Sequence, residues 1–254
     1  MATETPARSR PIRTVLSDET YSRIRDMVLD HTIAPGERIS IDGLARELDV
    51  SQTPVREALA RLESETLVVK EPLRGYAATE LLTLDQLKDL FEFRGVIEPW
   101  AAARAAMNIT EEGCQKLREE LDSGRKAEGL EVDEAYQAMS EHDARFHTLI
   151  AELSGSEFVK DAYVRTHCHL HLFRLYTVLK TWMNEAREGA EVVSDLFQLY
   201  YQPKSGFLAF QEHTQIAEAV MSGNAEAASE LMLGHIQNSL ARFAPTMSAI
   251  EQGQ

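Results

Sequence analysis

The stretch Ser51-Gln52-Thr53-Pro54-Val55-Arg56-Glu57-Ala58-Leu59-Ala60-Arg61-Leu62 decides how the first third of this chain folds. Val55, Ala58, Leu59 and Leu62 recur at helical spacing and form one buried stripe. Ser51 suits the N-cap, and Pro54 falls in the first turn, where a missing N–H costs nothing. Ser51, Gln52, Thr53 and Arg56 remain as a polar tip. Upstream, Ser17 or Asp18 is read as the cap of a helix carrying Tyr21, Ile24 and Val28 and ending near His31. Pro35-Gly36 then turns the chain, and a short helix over about 41–48 places Leu44, Ala45 and Leu48 on one face. Downstream, Leu67-Val68-Val69 and Tyr76-Ala77-Ala78-Thr79 flank a turn containing Pro72 and Gly75, which reads as a β-hairpin.

Helix, helix, tight turn, helix and hairpin is an order suited to reading DNA. A helix slim enough for the major groove needs polar side chains at its N-terminal end and a back buried on a rigid support. Arg56 is placed to contact guanine or a phosphate, and the helix N-terminus itself favours a phosphate oxygen. Lys70 and Arg74 mark the hairpin as a wing along the duplex backbone, with Gly75 allowing close approach. The same periodicity also fits a small packed domain with no nucleic-acid role. Residues 1–80 carry 11 Lys and Arg against 14 Asp and Glu, a net of −3, which leaves that alternative open.

The whole chain has 254 residues, 44% of them hydrophobic and 26% charged, with a formal charge of −15. That is enough apolar material for one large domain or two ordinary ones, and it excludes a disordered protein. No apolar run approaches the roughly 20 residues of a membrane span. The segment Met1 to Arg13 has three arginines but no apolar region behind them, so it does not read as a secretory signal, and the expected location is the cytoplasm. Two cysteines, Cys114 and Cys168, are too few for a disulfide framework. The acidic balance argues against indiscriminate coating of nucleic acid.

Ala34-Pro35-Gly36-Glu37-Arg38-Ile39, followed by Leu44 through Leu62, resembles the winged helix-turn-helix of the GntR family of bacterial transcription regulators over about residues 17–80. The resemblance implies that Ser51, Gln52, Thr53 and Arg56 approach the operator and that Arg74 and Gly75 form the wing tip. Two positions depart from the family pattern. Asp49 stands where Gly is usual in the turn between helices, and Asp tolerates the left-handed backbone needed there. Asp42 stands where an arginine commonly reaches DNA, so that contact is expected to be absent.

From Thr83 onward the periodicity is helical to the end, beginning with Leu84, Leu87, Phe91, Ile97 and Trp100. Further helices are read at about 110–128, 131–154 and 156–183, with a final pair at 208–221 and 225–243 joined by Ser222-Gly223-Asn224. The 182–206 stretch is the least readable. The expected fold is therefore mainly α: a winged helix-turn-helix followed by an all-α antiparallel bundle of six or seven helices. The divisions are 1–16, a flexible start; 17–80, the DNA-binding domain; 83–245, the helical domain; and 246–254, a tail.

Asp143 and His147 lie four apart on one helical face. His213 and His235 are symmetric about residue 224, within the turn joining the last two helices. Eleven residues down and eleven back, at about 1.5 Å each, return an antiparallel pair to the same level. If the helix carrying Asp143 and His147 crosses that pair, three imidazoles and a carboxylate converge. Such a set suits Zn²⁺ or Ni²⁺ and admits Mn²⁺ or Fe²⁺. Spacing alone also allows four unrelated polar residues.

The arrangement resembles the FadR-type C-terminal ligand domain, the FCD domain, over about 83–245. Its metal-containing members carry Asp-x3-His, a Glu-His on the penultimate helix and a His on the last; here these are Asp143 and His147, Glu212-His213, and His235. The resemblance implies a small carboxylate effector beside the metal, held with help from Arg94. The alternative reading of Arg94 is an ordinary surface ion-pair partner. The family's usual Asn after the Asp-x3-His helix is replaced by Ser154-Gly155-Ser156. In His167-Cys168-His169-Leu170-His171, His167 and His171 share a face and offer a rival metal site, while His169 or Arg165 is a candidate for lining the effector pocket.

These readings converge on a homodimeric DNA-binding regulator, not an enzyme. Each subunit reads half of a near-palindromic operator and senses a small organic acid through a divalent metal. The resemblance implies repression relieved by ligand. The alternatives are a metal-free regulator responding to an acyl-CoA and a metal-dependent hydrolase or lyase.

Overall fold

The computed structural model describes residues 11–127, 130–184 and 208–253. The chain divides into two compact units, Met1–Leu81 and Leu82–Gln254.

In the first unit, α1 (Pro11–Leu29) packs on α3 (Gln52–Ser64), with α2 (Ile41–Glu47) between them in sequence. The helix α1 begins well before the expected cap. Ser17 and Asp18 lie inside it and reach across to α3, Ser17 donating to Glu57 and Asp18 pairing with Arg61. Ile24, Val28, Val55, Ala58, Leu59 and Leu62 are all at 0% exposure, so the stripe read from the sequence is the core. The turn between α2 and α3 places Asp49 at φ 55°, the left-handed conformation expected of it. Ser40 caps α2 by accepting from the Gly43 amide; Ser51 is the N-cap residue of α3 but makes no side-chain capping bond.

The hairpin consists of β2 (Val68–Glu71) and β3 (Gly75–Ala78), with Lys70 opposite Tyr76. A third strand, β1 (Arg38–Ile39), pairs antiparallel with β3 and gives the sheet order β1-β3-β2. Two residues are too short to display an alternating pattern, which is why this strand was not legible.

The second unit contains seven helices among the described residues: α4 (Leu84–Asn108), α5 (Glu111–Arg125), α6 (Val132–Leu153), α7 (Glu157–Val164), α8 (Cys168–Asn184), α9 (Leu208–Met221) and α10 (Ala225–Gly253). Thr83 opens α4 with a reciprocal capping box to Gln86. The single helix expected over 156–183 is two. His167, at φ 45°, breaks it in a left-handed step that no Gly or Pro announces. The last helix runs on to Gly253, so the backbone expected to be a tail from 246 is helical. Beyond Asn184, the stretch to 206 lies outside the described residues. Leu87, Phe91, Ala102, Leu117, Phe146, Ile150, Ile216, Met232 and Ile236 share one core, built where α4 packs against α6, α9 and α10.

Candidate metal centre and nucleic-acid interface

On α3 the buried residues Pro54, Val55, Ala58, Leu59 and Leu62 leave Ser51, Gln52, Thr53 and Arg56 exposed together. Arg56 Nη2 donates to Gln52 Oε1 at 3.2 Å, and the Gln52 amide nitrogen donates to Asp42 on α2. The residue that departs from the family pattern thus holds the polar tip through Gln52. At the hairpin turn Arg74 and Gly75 are exposed. Gly75 has φ 89° and nothing within 4 Å of where a Cβ would stand, so the backbone conformation, not crowding, is what calls for glycine.

In the second unit, α6 supplies Asp143 and His147, α9 supplies His213 and α10 supplies His235. One ligand atom from each lies within 4.8 Å of the others, and this is the only such donor group among the described residues. The three imidazoles are buried, at 2% exposure or less. His235 Nε2 is 3.2 Å from His147 Nε2 and 3.3 Å from His213 Nε2. Asp143 Oδ1 is 3.6 Å from both His147 Nε2 and His213 Nε2.

Two of the rings are anchored from behind by carboxylates. His147 Nδ1 is 2.5 Å from Glu98 Oε2, and His235 Nδ1 is 2.7 Å from Glu212 Oε2. An ionised carboxylate only accepts, so these Nδ1 atoms carry hydrogen. In the neutral rings the Nε2 lone pairs are then turned toward one another. The same centre contains Asp143 Oδ2, a buried oxygen without a hydrogen-bond partner among the described residues. A shared cation relieves both the facing lone pairs and the unpaired oxygen, so the donors fit a metal.

The electrostatics agree at three of the four donors, Asp143, His213 and His235. Burial raises the Asp143 carboxyl, but His147, His213 and Arg94 outweigh it and hold it well below the ordinary carboxylate range. Burial, reinforced by the neighbouring imidazoles, drives His213 well below the usual imidazole value, and burial also lowers His235. For His147, burial is outweighed by Glu98 and Asp143, and the value is raised.

Arg94 is 1% exposed and is no surface ion-pair partner. It donates to Glu98 Oε1 at 2.5 Å and to Cys168 Sγ at 3.1 Å. Burial opposes ionisation of Glu98, but Arg94 and His147 bring it down to about 2. A cavity beside the donors is lined by Arg94, Asp143, His169, His213, Arg242 and Phe243, among others. Of the two residues suggested for a pocket wall, His169 is there and Arg165 is not.

The rival site at 167–171 does not assemble: His167 and His171 join no donor group among the described residues. Burial pushes the Cys168 thiol up to about 11 despite Arg94, which disfavours the thiolate a metal requires. Sequence reasoning missed Glu98, Glu120, His142 and Arg242. Glu98 stands one turn from Arg94 on α4, and His142 precedes Asp143, but neither spacing shows which neighbouring helix each side chain meets.

The fold and these two side-chain sets define a winged helix-turn-helix unit together with a helical unit that can hold a ligand. Residues 16–77 match the model described as "Bacterial regulatory proteins, gntR family", and residues 89–238 match the FCD domain. The chain belongs to the GntR family and is a DNA-binding transcription regulator with an FCD ligand-binding domain. It is 26% identical over 220 residues to the uncharacterized regulator YdhC of Bacillus subtilis, covering 86% of each chain. It is 27% identical over 230 residues to the regulator LutR of the same organism, covering 84% of this chain and 94% of LutR. The solved structure of McbR/YncC from Escherichia coli shares the fold with a TM-score of 0.59 at 20% identity, over 89% of this chain and 95% of that one. No helix among the described residues is long and apolar enough to cross a membrane.

Proposed function

We propose that this regulator binds a near-palindromic operator as a homodimer and that a small carboxylate, held beside a divalent metal in the FCD domain, controls that binding. Ser51, Gln52, Thr53 and Arg56 meet the major groove, and Arg74 and Gly75 follow the adjacent backbone. Asp143, His147, His213 and His235 hold the ion; three imidazoles with one carboxylate favour Zn²⁺ or Ni²⁺ and admit Mn²⁺ or Fe²⁺. The observation that carries the reading is the meeting of three buried Nε2 atoms, 3.2 and 3.3 Å apart around His235, beside a buried Asp143 oxygen that has no partner among the described residues.

The metal would supply a Lewis-acidic point for a carboxylate oxygen. Arg94, His169 and Arg242 give the adjoining cavity its cationic and hydrogen-bonding edge, and Phe243 gives it apolar surface. Arg94 and Arg242 are already engaged by Glu98 and Glu212, which limits the excess positive charge and fits a small acid better than a polyanion. An effector preferring one state of the regulator shifts its population, and DNA must alter effector affinity by the same factor. Repressor action relieved by the effector is the sign we assign.

Elemental analysis of the purified chain tests the centre. One divalent ion per chain is expected, with His147→Ala and His235→Ala losing it; unchanged stoichiometry in both variants would refute the assignment. A screen of small mono- and dicarboxylates by thermal shift, with and without chelator, then tests the effector class.

A further inference from the structure

The third metal-facing imidazole is supported differently from the other two. Among the described residues His213 Nδ1 meets no carboxylate directly but lies 3.0 Å from Nε2 of His142, a ring at 0% exposure. His142 Nδ1 is in turn 2.8 Å from Glu120 Oε1 on α5. Arg145 donates to the same carboxylate at 3.0 and 3.2 Å and fixes its outer side. Space for the intermediate ring comes from Gly124, also on α5: a Cβ there would stand 2.6 Å from His142 Nδ1 and 2.8 Å from two ring carbons. These are atoms of a packed ring rather than a flexible side-chain end, so α5 accommodates His142 only where its own side chain is absent.

We propose that Glu120 and His142 form a directional relay that fixes the tautomer of His213 and presents its Nε2 lone pair to the metal. This rests on the metal reading given above. The direction follows from the end of the chain of bonds. The Glu120 carboxylate accepts only, so His142 donates from Nδ1, and the relay has it accept at Nε2. His213 must then donate from Nδ1, which leaves its Nε2 without hydrogen and its lone pair facing the centre. Removing the relay lets His213 adopt the other tautomer, with Nε2–H aimed at the centre, and the proton must move before a cation can bind. Glu120 and His142 are therefore positioning residues, with no direct contact to the ion.

Imidazole nitrogen NMR on the full chain without metal reads the tautomer, with the His213 signals assigned by comparison with His213→Gln. Wild type is expected to show hydrogen on Nδ1 of His213, and His142→Leu or Glu120→Leu to populate the Nε2–H form; Glu120→Gln, which keeps an accepting oxygen, should restore the first. Zn²⁺ titrations against a competing chelator should show affinity about 10–100-fold weaker in the two leucine variants, at unchanged stoichiometry, and near wild type in Glu120→Gln. Circular dichroism and melting identify any variant that fails to fold, and Glu120, at the partly exposed end of the relay, supplies the substitution least disruptive to packing. Hydrogen on Nε2 of His213 in the wild type would overturn the relay, as would Zn²⁺ affinity unchanged in both folded leucine variants. If wild type bound no Zn²⁺ while His213 held hydrogen on Nδ1, the metal reading would fail and the relay would stand.

Discussion

Arg56 is held off the core by the same helix turn that buries Val55 on one side and Leu59 on the other, and it rests on Gln52 rather than on a carboxylate. Among the described residues no ion pair of its guanidinium has to break before it reaches DNA. Arg56→Ala should weaken operator binding by about 1–3 kcal/mol. Titrations by fluorescence anisotropy at several salt concentrations separate the possible contacts. A base contact lowers discrimination between operators, whereas a phosphate contact reduces the salt slope by about 1. Full affinity for every operator would remove Arg56 from the interface. His171 illustrates a residue whose surroundings matter more than its type. Burial, followed by the charges of Arg174, His167 and His169, lowers it to about 4. An unfolded imidazole takes its proton near 6.5. Between these values the unfolded chain binds the proton and the folded chain does not, so stability is full above pH 6.5 and declines as pH falls toward 4. Melting curves from pH 7 to 5 should fall more steeply in wild type than in His171→Gln. Equal slopes would show that another group carries the response.

At the scale of elements, Thr83 and Gln86 close the start of α4: Thr83 Oγ1 accepts from the Gln86 amide at 3.2 Å, and Gln86 Oε1 accepts from the Thr83 amide at 2.9 Å. Thr83→Ala should cost about 1 kcal/mol in urea unfolding without changing metal stoichiometry. A loss below about 0.3 kcal/mol would mean that solvent satisfies those amides equally well. Features set by local geometry of this kind were readable in advance. Asp143 and His147 share a face because a helix returns every 3.6 residues, and His213 and His235 come level because their turn lies midway between them. What escaped the sequence depends on partners remote along the chain. Nothing near His142 announces Glu120, and Gly124 shows its purpose only beside the ring that fills its space. Arg94 was assigned to the pocket through resemblance, while its buried pair with Glu98 required the fold. The break at His167 escaped for a different reason: its left-handed backbone is carried by neither Gly nor Pro, the residues that punctuate a helix in sequence, and the apolar periodicity continues across it.

On the scale of the molecule, the boundary at 81 and 82 assigns the two activities to different cores. All four candidate metal donors lie in the second unit, and so do both tryptophans, Trp100 and Trp182. Tryptophan fluorescence therefore follows the unit expected to gain stability from the ion. Binding only to the folded form at 100 times Kd contributes about 2.7 kcal/mol. For a unit of this size each kcal/mol raises the midpoint by about 2–4 °C, so saturating Zn²⁺ should raise the fluorescence-detected midpoint by about 5–11 °C over chelated protein. Calorimetry of the full chain should resolve a second transition that does not move, since the DNA-binding unit has none of the donors. Asp143→Ala combined with His235→Ala should abolish the shift. A wild-type-sized shift in that double variant would put the ion elsewhere, and equal movement of both transitions would mean that metal stabilises the chain through coupling of its two units rather than by closing one helical core.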